Sequence, residues 1–321
     1  MNPLKLPPNT VLLERGWLSA NTVLISDATG VTDAPNETIA TIATNTHGAT
    51  AIDTGYCTHA LQTVALIEAA LAGNRLDRVV NTHLHSDHCG GNAALVAHFG
   101  CEVLIPPGEA AAVAAWDTTA LSYEPTGQEC PRFAYTGLVQ PSSVLRMGGM
   151  DWVALAAPGH DPNSLIFYCE AQRCLISADA LWENGFGVVF PELDGMHAFD
   201  AVAATLDLID TLAINLVLPG HGGAFGDVPG ALARARMRLN GFVQNPSKHR
   251  WHAVKVLCMF WLMTQNRAAC TQAVAHLAGT RYIQQVAAQL GGTAHAVVQH
   301  ALDEMVGKRQ LLFDGANYRV V

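Results

Sequence analysis

The sequence is poor in charged side chains, in aromatic rings and in long apolar runs. Only 14% of its 321 residues are charged and 7% are aromatic, whereas 50% are hydrophobic. This composition is typical of a globular protein with a large core, and it excludes a disordered chain. The most apolar stretch, residues 254–263, contains Lys255 and is too short to span a bilayer, so no membrane association is predicted.

Paired cysteine motifs are missing as well. The 8 cysteines form no CxxC pair, and a chain of this length needs no disulfides to stabilise its core. The first residues contain no basic segment followed by a long apolar run, so a signal peptide is not expected. We therefore predict reduced thiols and a cytoplasmic protein.

Charge is distributed unevenly along the chain. Residues 228–321 contain eleven Lys/Arg and three Asp/Glu, which gives them a net charge of +8. Because the whole chain has a net charge of −9, residues 1–227 carry −17. This split predicts two units with different surfaces, residues 1–227 and 228–321. The basic unit either binds an anionic partner such as nucleic acid, or packs against the acidic unit of its own chain or of a homodimer mate.

The first unit has the alternating pattern of an α/β protein. Helical periodicity predicts helices at residues 61–71, 92–99, 109–116 and 198–212. Short β-branched or apolar runs predict strands at residues 22–25, 38–42, 49–52, 102–105, 143–145, 152–155, 165–168, 174–177 and 216–218. Residues 117–142 are interrupted by Pro and Gly, and a loop of this length is expected to rim a pocket.

The second unit is predominantly helical. Its periodicity predicts helices at residues 231–243, 248–264, 271–277, 282–290 and 294–306. Thr293 is a suitable N-cap for the last of these helices. Residues 310–321 predict a β-hairpin. Helices followed by a hairpin, together with basic residues, predict a winged-helix-like module.

The most informative stretch is His-x-His-x-Asp-His at residues 83–88, directly after an apolar run. If a strand ends here, His83 and His85 point to the same face, because side chains along a strand alternate between faces. Packing does not require four potential ligands within six residues, but a divalent metal does. A polar turn with chance histidines is the alternative.

Further potential ligands follow other predicted strands. His160 and His221 each come after a Pro-Gly pair, and Asp179 and Asp53 each end a strand. Taken singly, such residues belong to turns or cores more often than to metal sites. Taken with residues 83–88, they provide enough ligands for two metals. Imidazole and carboxylate donors without thiolate suit Zn²⁺, Fe or Mn²⁺.

This set of residues resembles the metallo-β-lactamase superfamily, including its glyoxalase II-type relatives. The resemblance covers residues from about 20 to 223, and it implies an αββα sandwich followed by the winged-helix-like domain. It implies two metal sites and a bridging residue: His83, His85 and His160 for the first metal, Asp87, His88 and His221 for the second, and Asp179 between them. Asp53 is expected to support these ligands from behind.

The resemblance implies a hydrolase with two divalent metal ions, Zn²⁺ first and Fe or Mn²⁺ as alternatives. A metal-bridging hydroxide would cleave a small ester, thioester, lactone or amide, and Asp87 is the expected catalytic residue. One alternative is a nuclease or phosphodiesterase whose basic unit binds nucleic acid, which is disfavoured because the acidic unit repels phosphates. The other is a non-hydrolytic iron, redox or metal-binding protein. Trp182, Phe186 and Phe190 are expected either in the pocket wall or in the core.

Overall fold

Two β-sheets form the centre of the first unit in the computed structural model, which describes residues 4–27 and 48–321. The predicted strand at residues 38–42 lies outside the described residues. The first sheet contains Thr10–Leu13 (β1), Thr22–Ser26 (β2), Gly48–Ile52 (β3), Arg75–Val80 (β4), Glu102–Ile105 (β5) and Gly137–Leu138 (β6). The second contains Val144–Met147 (β7), Met150–Ala156 (β8), Leu165–Cys169 (β9), Cys174–Ala178 (β10) and Leu216–Pro219 (β11).

The strand order shows how the chain builds these sheets. The described strands of the first sheet follow the chain, β1-β2-β3-β4-β5-β6, and the second has the order β11-β10-β9-β8-β7. Neighbouring strands from β3 to β6 are parallel, and so are β10 and β11. Parallel pairs need crossover connections, and these place helices on the outer face of each sheet. The helices of this unit are Ala60–Leu71 (α1), Ser86–Cys89 (α2), Asn92–Phe99 (α3), Ala110–Ala115 (α4), Tyr123–Thr126 (α5), Phe190–Leu193 (α6) and Phe199–Thr211 (α7).

Alternating side chains join the sheets into a sandwich. Val23 and Ile25 of β2 point into the core between the sheets, whereas Leu24 packs under α1 and α3 on the outer face. Helix α7 covers the outer face of the second sheet through residues such as Leu206 and Ile209. The predicted αββα sandwich is confirmed. Within the predicted loop at residues 117–142, the structure adds the short elements α5 and β6.

The second unit combines helices with a small sheet. The helices are Val228–Gln244 (α8), Pro246–Gln265 (α9), Cys270–Gly279 (α10), Arg281–Gln289 (α11) and Ala294–Gly307 (α12). Thr293 caps α12 by accepting a hydrogen bond from the Ala296 N–H at 3.3 Å. The strands Arg267–Ala269 (β12), Leu311–Phe313 (β13) and Asn317–Val320 (β14) form a sheet of order β12-β14-β13. The C-terminal hairpin is confirmed, whereas β12 is too short for a periodic signal and was not predicted.

Core packing relates the two units. Leu232, Leu239 and Phe242 of α8 share a core with helix α7, while α9 to α12 and the small sheet enclose a further core, which Val188 and Leu193 of the first unit join. The proposed boundary at residue 228 and the winged-helix-like character stay predictions. Among the described residues, no helix is both long enough and apolar enough to cross a membrane.

Trp152 provides a test of the core between the sheets. Its side chain is fully buried, and its indole N–H has no hydrogen-bond partner in the described part of the chain. Trp152→Ala should lower the free energy of unfolding by about 3–5 kcal/mol through cavity formation. Trp152→Phe should lower it by less than about 1.5 kcal/mol, because this change also removes an unpaired donor. Urea unfolding followed by circular dichroism measures both, and equal losses would contradict this account.

Candidate functional site

The loops that follow β3, β4, β8, β10 and β11 meet at one edge of the sandwich. Strand β4 ends at Val80, so His83 and His85 lie in a loop, and the expectation that strand alternation orients them was wrong. The helical turn α2 then carries Asp87 and His88. The structure brings all seven predicted ligands together in three overlapping groups: His83/His85/His160, His83/His88/Asp179 and Asp87/His88/His221.

The first group consists of three imidazoles. His85 Nδ1 lies 3.1 Å from His83 Nε2 and 2.7 Å from His160 Nε2. Burial lowers the pKa of His83 and of His160. Burial together with His160 lowers the pKa of His85 to about 3. These imidazoles are therefore neutral near pH 7, which is the form that coordinates metals.

The group Asp87/His88/His221 combines imidazoles with a carboxylate. Asp87 Oδ2 lies 3.1 Å from His221 Nε2 and 3.9 Å from His88 Nε2. Asp179 lies between this group and the group His83/His85/His160. Its Oδ2 lies 3.5 Å from His160 Nε2, and its Oδ1 lies 3.4 Å from His88 Nε2. Burial opposes protonation of His88, but the surrounding carboxylates outweigh it and raise the pKa of His88 well above its ordinary value. Positive charge is therefore stabilised at this position.

His88 shows that the cluster fits a cation. Its Nδ1–H donates a hydrogen bond to Asp53 Oδ2 at 2.7 Å, which leaves Nε2 to face the cluster. Nε2 is buried and makes no hydrogen bond within the described residues. Asp179 Oδ1 and Asp87 Oδ2 lie 3.4 and 3.9 Å from it, and these carboxylates favour a positive charge at Nε2, either a proton or a bound cation. Such a group is costly to bury unless a cation binds it, and the nitrogen and oxygen donors present suit Zn²⁺, Fe or Mn²⁺.

Asp53 connects the ligand loop to strand β3. Besides His88, its carboxylate accepts hydrogen bonds from the Thr82 backbone N–H at 2.9 Å and from the Thr82 hydroxyl at 2.7 Å. Its backbone has φ +59°, an uncommon conformation for a non-glycine residue. Strain of this kind persists where the surroundings hold the residue in place. Asp53 thus orients the His88 ring, with Nδ1–H towards its own carboxylate and Nε2 towards the cluster.

Glycines allow close approach to the ligands. A Cβ on Gly220 would lie 2.3 Å from Asp179 Oδ1, and one on Gly187 would lie 2.4 Å from His160 Nδ1. The same His160 Nδ1 donates a hydrogen bond to the Val188 carbonyl at 2.5 Å. The Pro-Gly pair before His221 indicated only a turn, whereas the structure shows that Gly220 makes room for a neighbouring ligand.

Several residues at the site were not found from the sequence. Trp17 stacks on the His221 ring with an interplanar angle of 9°, although the residue is 57% exposed. Asp161 Oδ2 lies 3.8 Å from His85 Nε2. Its position directly after His160 was a usable signal, whereas no local pattern distinguishes Trp17.

A cavity of about 410 Å³ opens above the ligand cluster. Trp182 and Phe190 line it, which is one of the two placements that the sequence left open, and the Trp182 indole donates a hydrogen bond to Asp179 Oδ1 at 3.1 Å. Phe186 is instead part of the core, where it packs against Phe242. One face of helix α9 completes the wall with Val256, Leu257 and Phe260.

Comparison with known proteins places this arrangement in a family. The family model described as Metallo-beta-lactamase superfamily matches residues 39–221. The chain belongs to the metallo-β-lactamase superfamily. The hydroxyacylglutathione hydrolase of Rhizobium etli is 28% identical over 145 residues, which cover 44% of this chain and 49% of the relative. The acyl-coenzyme A thioesterase MBLAC2 of Gallus gallus is 26% identical over 170 residues, which cover 48% of this chain and 60% of the relative.

The chain spans about half the length of the first curated relative. A metallo-beta-lactamase family protein from Thermus thermophilus, TTHA1429, has a similar fold, with a TM-score of 0.55 and 18% identity over 99% of this chain and 100% of that one. The similarity in fold therefore extends beyond the matched domain into the second unit.

Gly220 gives a test of ligand placement in this metallo-β-lactamase domain. Gly220→Ala should displace Asp179 and lower metal affinity at least about tenfold, because supporting positions around metal ligands have effects of this size. Gly223→Ala in the same turn is the matched control, since its Cβ would meet Glu14 at 3.4 Å, an ordinary contact. Competition with a chromophoric chelator measures both affinities. Equal affinities in the two variants would refute the steric argument.

Asp53 gives a second, electronic test. Asp53→Asn presents an amide N–H₂ to His88 Nδ1 and so favours the tautomer with the proton on Nε2, which cannot bind a metal. We expect metal affinity to fall about 10–100-fold while the fold is retained. Chelator competition measures the affinity, and near- and far-ultraviolet circular dichroism provides the control for folding. Wild-type affinity in this variant would mean that Asp53 does not orient His88.

Proposed function

We propose that this chain is a metal-dependent hydrolase that holds two divalent cations and cleaves a small acyl thioester, with esters, lactones and amides as related substrates. The observation that carries the proposal is the set of seven converging nitrogen and oxygen ligands beside a cavity of about 410 Å³. That volume suits a small-molecule substrate. The names of the two relatives above, which describe hydrolysis of thioesters, support the substrate class.

The ligand groups suggest how the cations would be held. His83, His85 and His160 would hold one, Asp87, His88 and His221 the other, and Asp179 would contact both. Zn²⁺ suits these donors best, with Fe and Mn²⁺ as alternatives. When bound, such a pair supplies Lewis acidity at the attacked carbonyl and lowers the pKa of a water molecule.

Asp87 is the proposed catalytic residue of the chain itself. Its carboxylate borders the cavity and lies within hydrogen-bonding distance of His221. Burial favours the neutral form of Asp87, but His88 and His221 outweigh it and hold the pKa below its ordinary value. Asp87 is therefore an ionised acceptor that can orient an attacking water.

Aromatic side chains provide the remaining wall of the site. Trp17, Trp182, Phe190 and Phe260 line the cavity. Their rings offer an apolar surface against which a small acyl group can be positioned.

Nuclease activity is less well supported. Several cations of the second unit are engaged in ion pairs: Arg236 with Asp207 and Asp210, Arg267 with Asp314, and Lys255 and Lys308 with Glu304. Paired cations contribute little to a phosphate-binding surface. We infer that this unit is winged-helix-like, because helix α9, β12, three helices and the β13–β14 hairpin follow in order. Its position beside the cavity suggests that it shapes substrate access.

His85 tests the proposed function. His85→Ala removes one of three imidazoles from the first group and should lower thioester hydrolysis more than about 100-fold, with loss of bound metal. The exposed His98, which contacts Glu68, gives the matched control His98→Ala with unchanged metal content and rate. Release of thiol from acetyl thioesters measures hydrolysis, and elemental analysis measures metal. Full activity in His85→Ala would disprove the assignment.

The same assays separate the alternatives. Metal-loaded protein that is inert towards thioesters, esters, lactones and amides would favour a non-hydrolytic iron or redox role. Salt-dependent binding and cleavage of a fluorescent single-stranded RNA would favour the nuclease. Thioester hydrolysis without RNA cleavage is the expected result.

A further inference from the structure

A second cavity opens beside the first and shares a wall with it. Its volume is about 360 Å³, compared with about 410 Å³ for the cavity above the ligand cluster. Trp17, Arg238, His252, Val256 and Phe260 line both. The two cavities therefore form one cleft, which leads from the ligand cluster along helix α9 into the second unit.

Helix α9 lines this cleft with one face. His252, Val256, Phe260 and Met263 follow at four- and three-residue intervals, which places them on the same side of a helix. Met259 lies beside them, and Met305 of α12 faces the same cavity. Methionine side chains adapt to irregular ligands, so this part of the cleft suits a flexible, extended molecule.

Arg238 of α8 lies where the two cavities join, and none of the described residues forms an ion pair with it. Its helix neighbours Arg234 and Arg236 pair with aspartates. Within the described residues, Arg238 has one hydrogen bond, from Nη1 to the Phe186 carbonyl at 3.3 Å, and no carboxylate pairs with it. Burial lowers the pKa of its guanidinium from the ordinary value. A partly buried cation of this kind is destabilising until an anion joins it.

The groups around Arg238 leave the charge uncompensated. His252 is neutral near pH 7, because burial and the nearby Arg238 lower its pKa to about 3. Lys255 and Lys308 line the second cavity, and both contact the single carboxylate of Glu304. Glu183 lines the first cavity but forms no ion pair with Arg238 in the described part of the chain. The lining of the second cavity therefore carries net positive charge next to an apolar surface, whereas the carboxylates that line the cleft, Asp87, Asp179 and Glu183, belong to the first cavity.

Gly185 leaves the space that the guanidinium occupies. A Cβ at this position would lie 2.4 Å from Arg238 Nη1. The loop after β10, which also carries the ligand Asp179, thus accommodates Arg238 at the side of the cleft. The absence of a side chain at Gly185 lets the guanidinium lie against this loop.

We propose that Arg238 binds an anionic group on the thiol half of the substrate, and that the cleft thereby selects thioesters of anionic carrier thiols over neutral ones. This inference rests on the proposed thioester hydrolysis. A small acyl group at the ligand cluster has no atoms that reach the second cavity, whereas an extended carrier fills it. The recognised group is a carboxylate or a phosphate, both of which match the guanidinium fork.

Three acetyl thioesters test this inference, because they share the acyl group and differ in the carrier. Glutathione supplies carboxylates, coenzyme A supplies phosphates, and N-acetylcysteamine is neutral. In metal-loaded Arg238→Gln, KM for an anionic thioester should rise about 10–100-fold, the range for a lost charged hydrogen bond. The rate with the neutral thioester should change less than about twofold. Arg238→Lys should recover part of the loss, and Arg236→Gln on the same helix is the matched control.

The outcomes separate the possible explanations. A rise in KM for one anionic carrier only supports the proposal and identifies the recognised group as carboxylate or phosphate. An equal loss with all three thioesters, or no loss, overturns it. A loss confined to the succinyl thioester of N-acetylcysteamine would place the anion on the acyl half and would also overturn it.

A binding measurement keeps this test independent of catalysis. The S-ethyl thioethers of glutathione and coenzyme A cannot be hydrolysed. Calorimetric titration into the metal-loaded protein should show binding of at least one, weakened about 10–100-fold in Arg238→Gln. If the wild type binds a thioether but cleaves no thioester, the proposed function fails and the role of Arg238 stands. If Arg238→Gln binds as tightly as the wild type, the role of Arg238 fails.

Discussion

The site depends on buried nitrogen and oxygen atoms that converge at one edge of the sandwich. His85 Nδ1 lies within hydrogen-bonding distance of both His83 Nε2 and His160 Nε2, and His88 Nε2 faces carboxylate oxygens without a hydrogen bond in the described residues. Polar atoms are costly to bury unless a suitable partner binds them. A bound cation would be such a partner for the whole cluster at once. On the proposed function, metal binding would therefore be coupled to the stability of this edge of the sandwich.

The sandwich holds these groups in place through a rigid core and a few strained positions. Asp53 and Ala178, each next to a strand end, have φ of +59° and +47°. Residues in this region are retained when their surroundings determine them. Asp53 is held by three hydrogen bonds from Thr82 and His88. Ala178 precedes Asp179 at an irregularity in the pairing of β10 and β11, which directs that carboxylate between the two ligand groups.

The second unit gives the site its shape. Helix α9 contributes Val256, Leu257 and Phe260 to the cavity above the ligands, and α8 brings Arg238 to its side. The net positive charge of this unit suggested a broad basic surface, whereas the structure draws attention to a single cation beside the cleft. Several of its cations are neutralised by ion pairs at the surface, whereas Arg238 is half-buried and turned towards the cleft.

How much of this could be predicted depends on the range of the interactions involved. Residues 83–88 alone indicated the metal chemistry, because their ligands are adjacent in the chain. The helix at residues 92–99 and the cap at Thr293 were also predictable, since helical periodicity and capping involve neighbours a few residues apart. The strand argument for His83 and His85 failed, because β4 ends at Val80 and the loop beyond it is shaped by distant contacts such as Asp53 with Thr82.

Only the tertiary structure decided which nitrogen of each histidine faces the cluster, and which further residues surround it. The proton on His88 Nδ1 is directed by Asp53, 35 residues earlier. Trp17 stacks on His221, and Arg238 packs against Gly185. Both contacts form only after the sheets and helices that carry these residues have packed together. The sequence by itself determined the donor types and most of the helices and strands, because these follow from residue identity and local periodicity, whereas the sandwich was implied by the resemblance to the family. The orientation and burial of the ligand side chains, and the position of Arg238 without an ion pair among the described residues, arise from packing between segments that are distant in the sequence. Local sequence patterns therefore do not predict them.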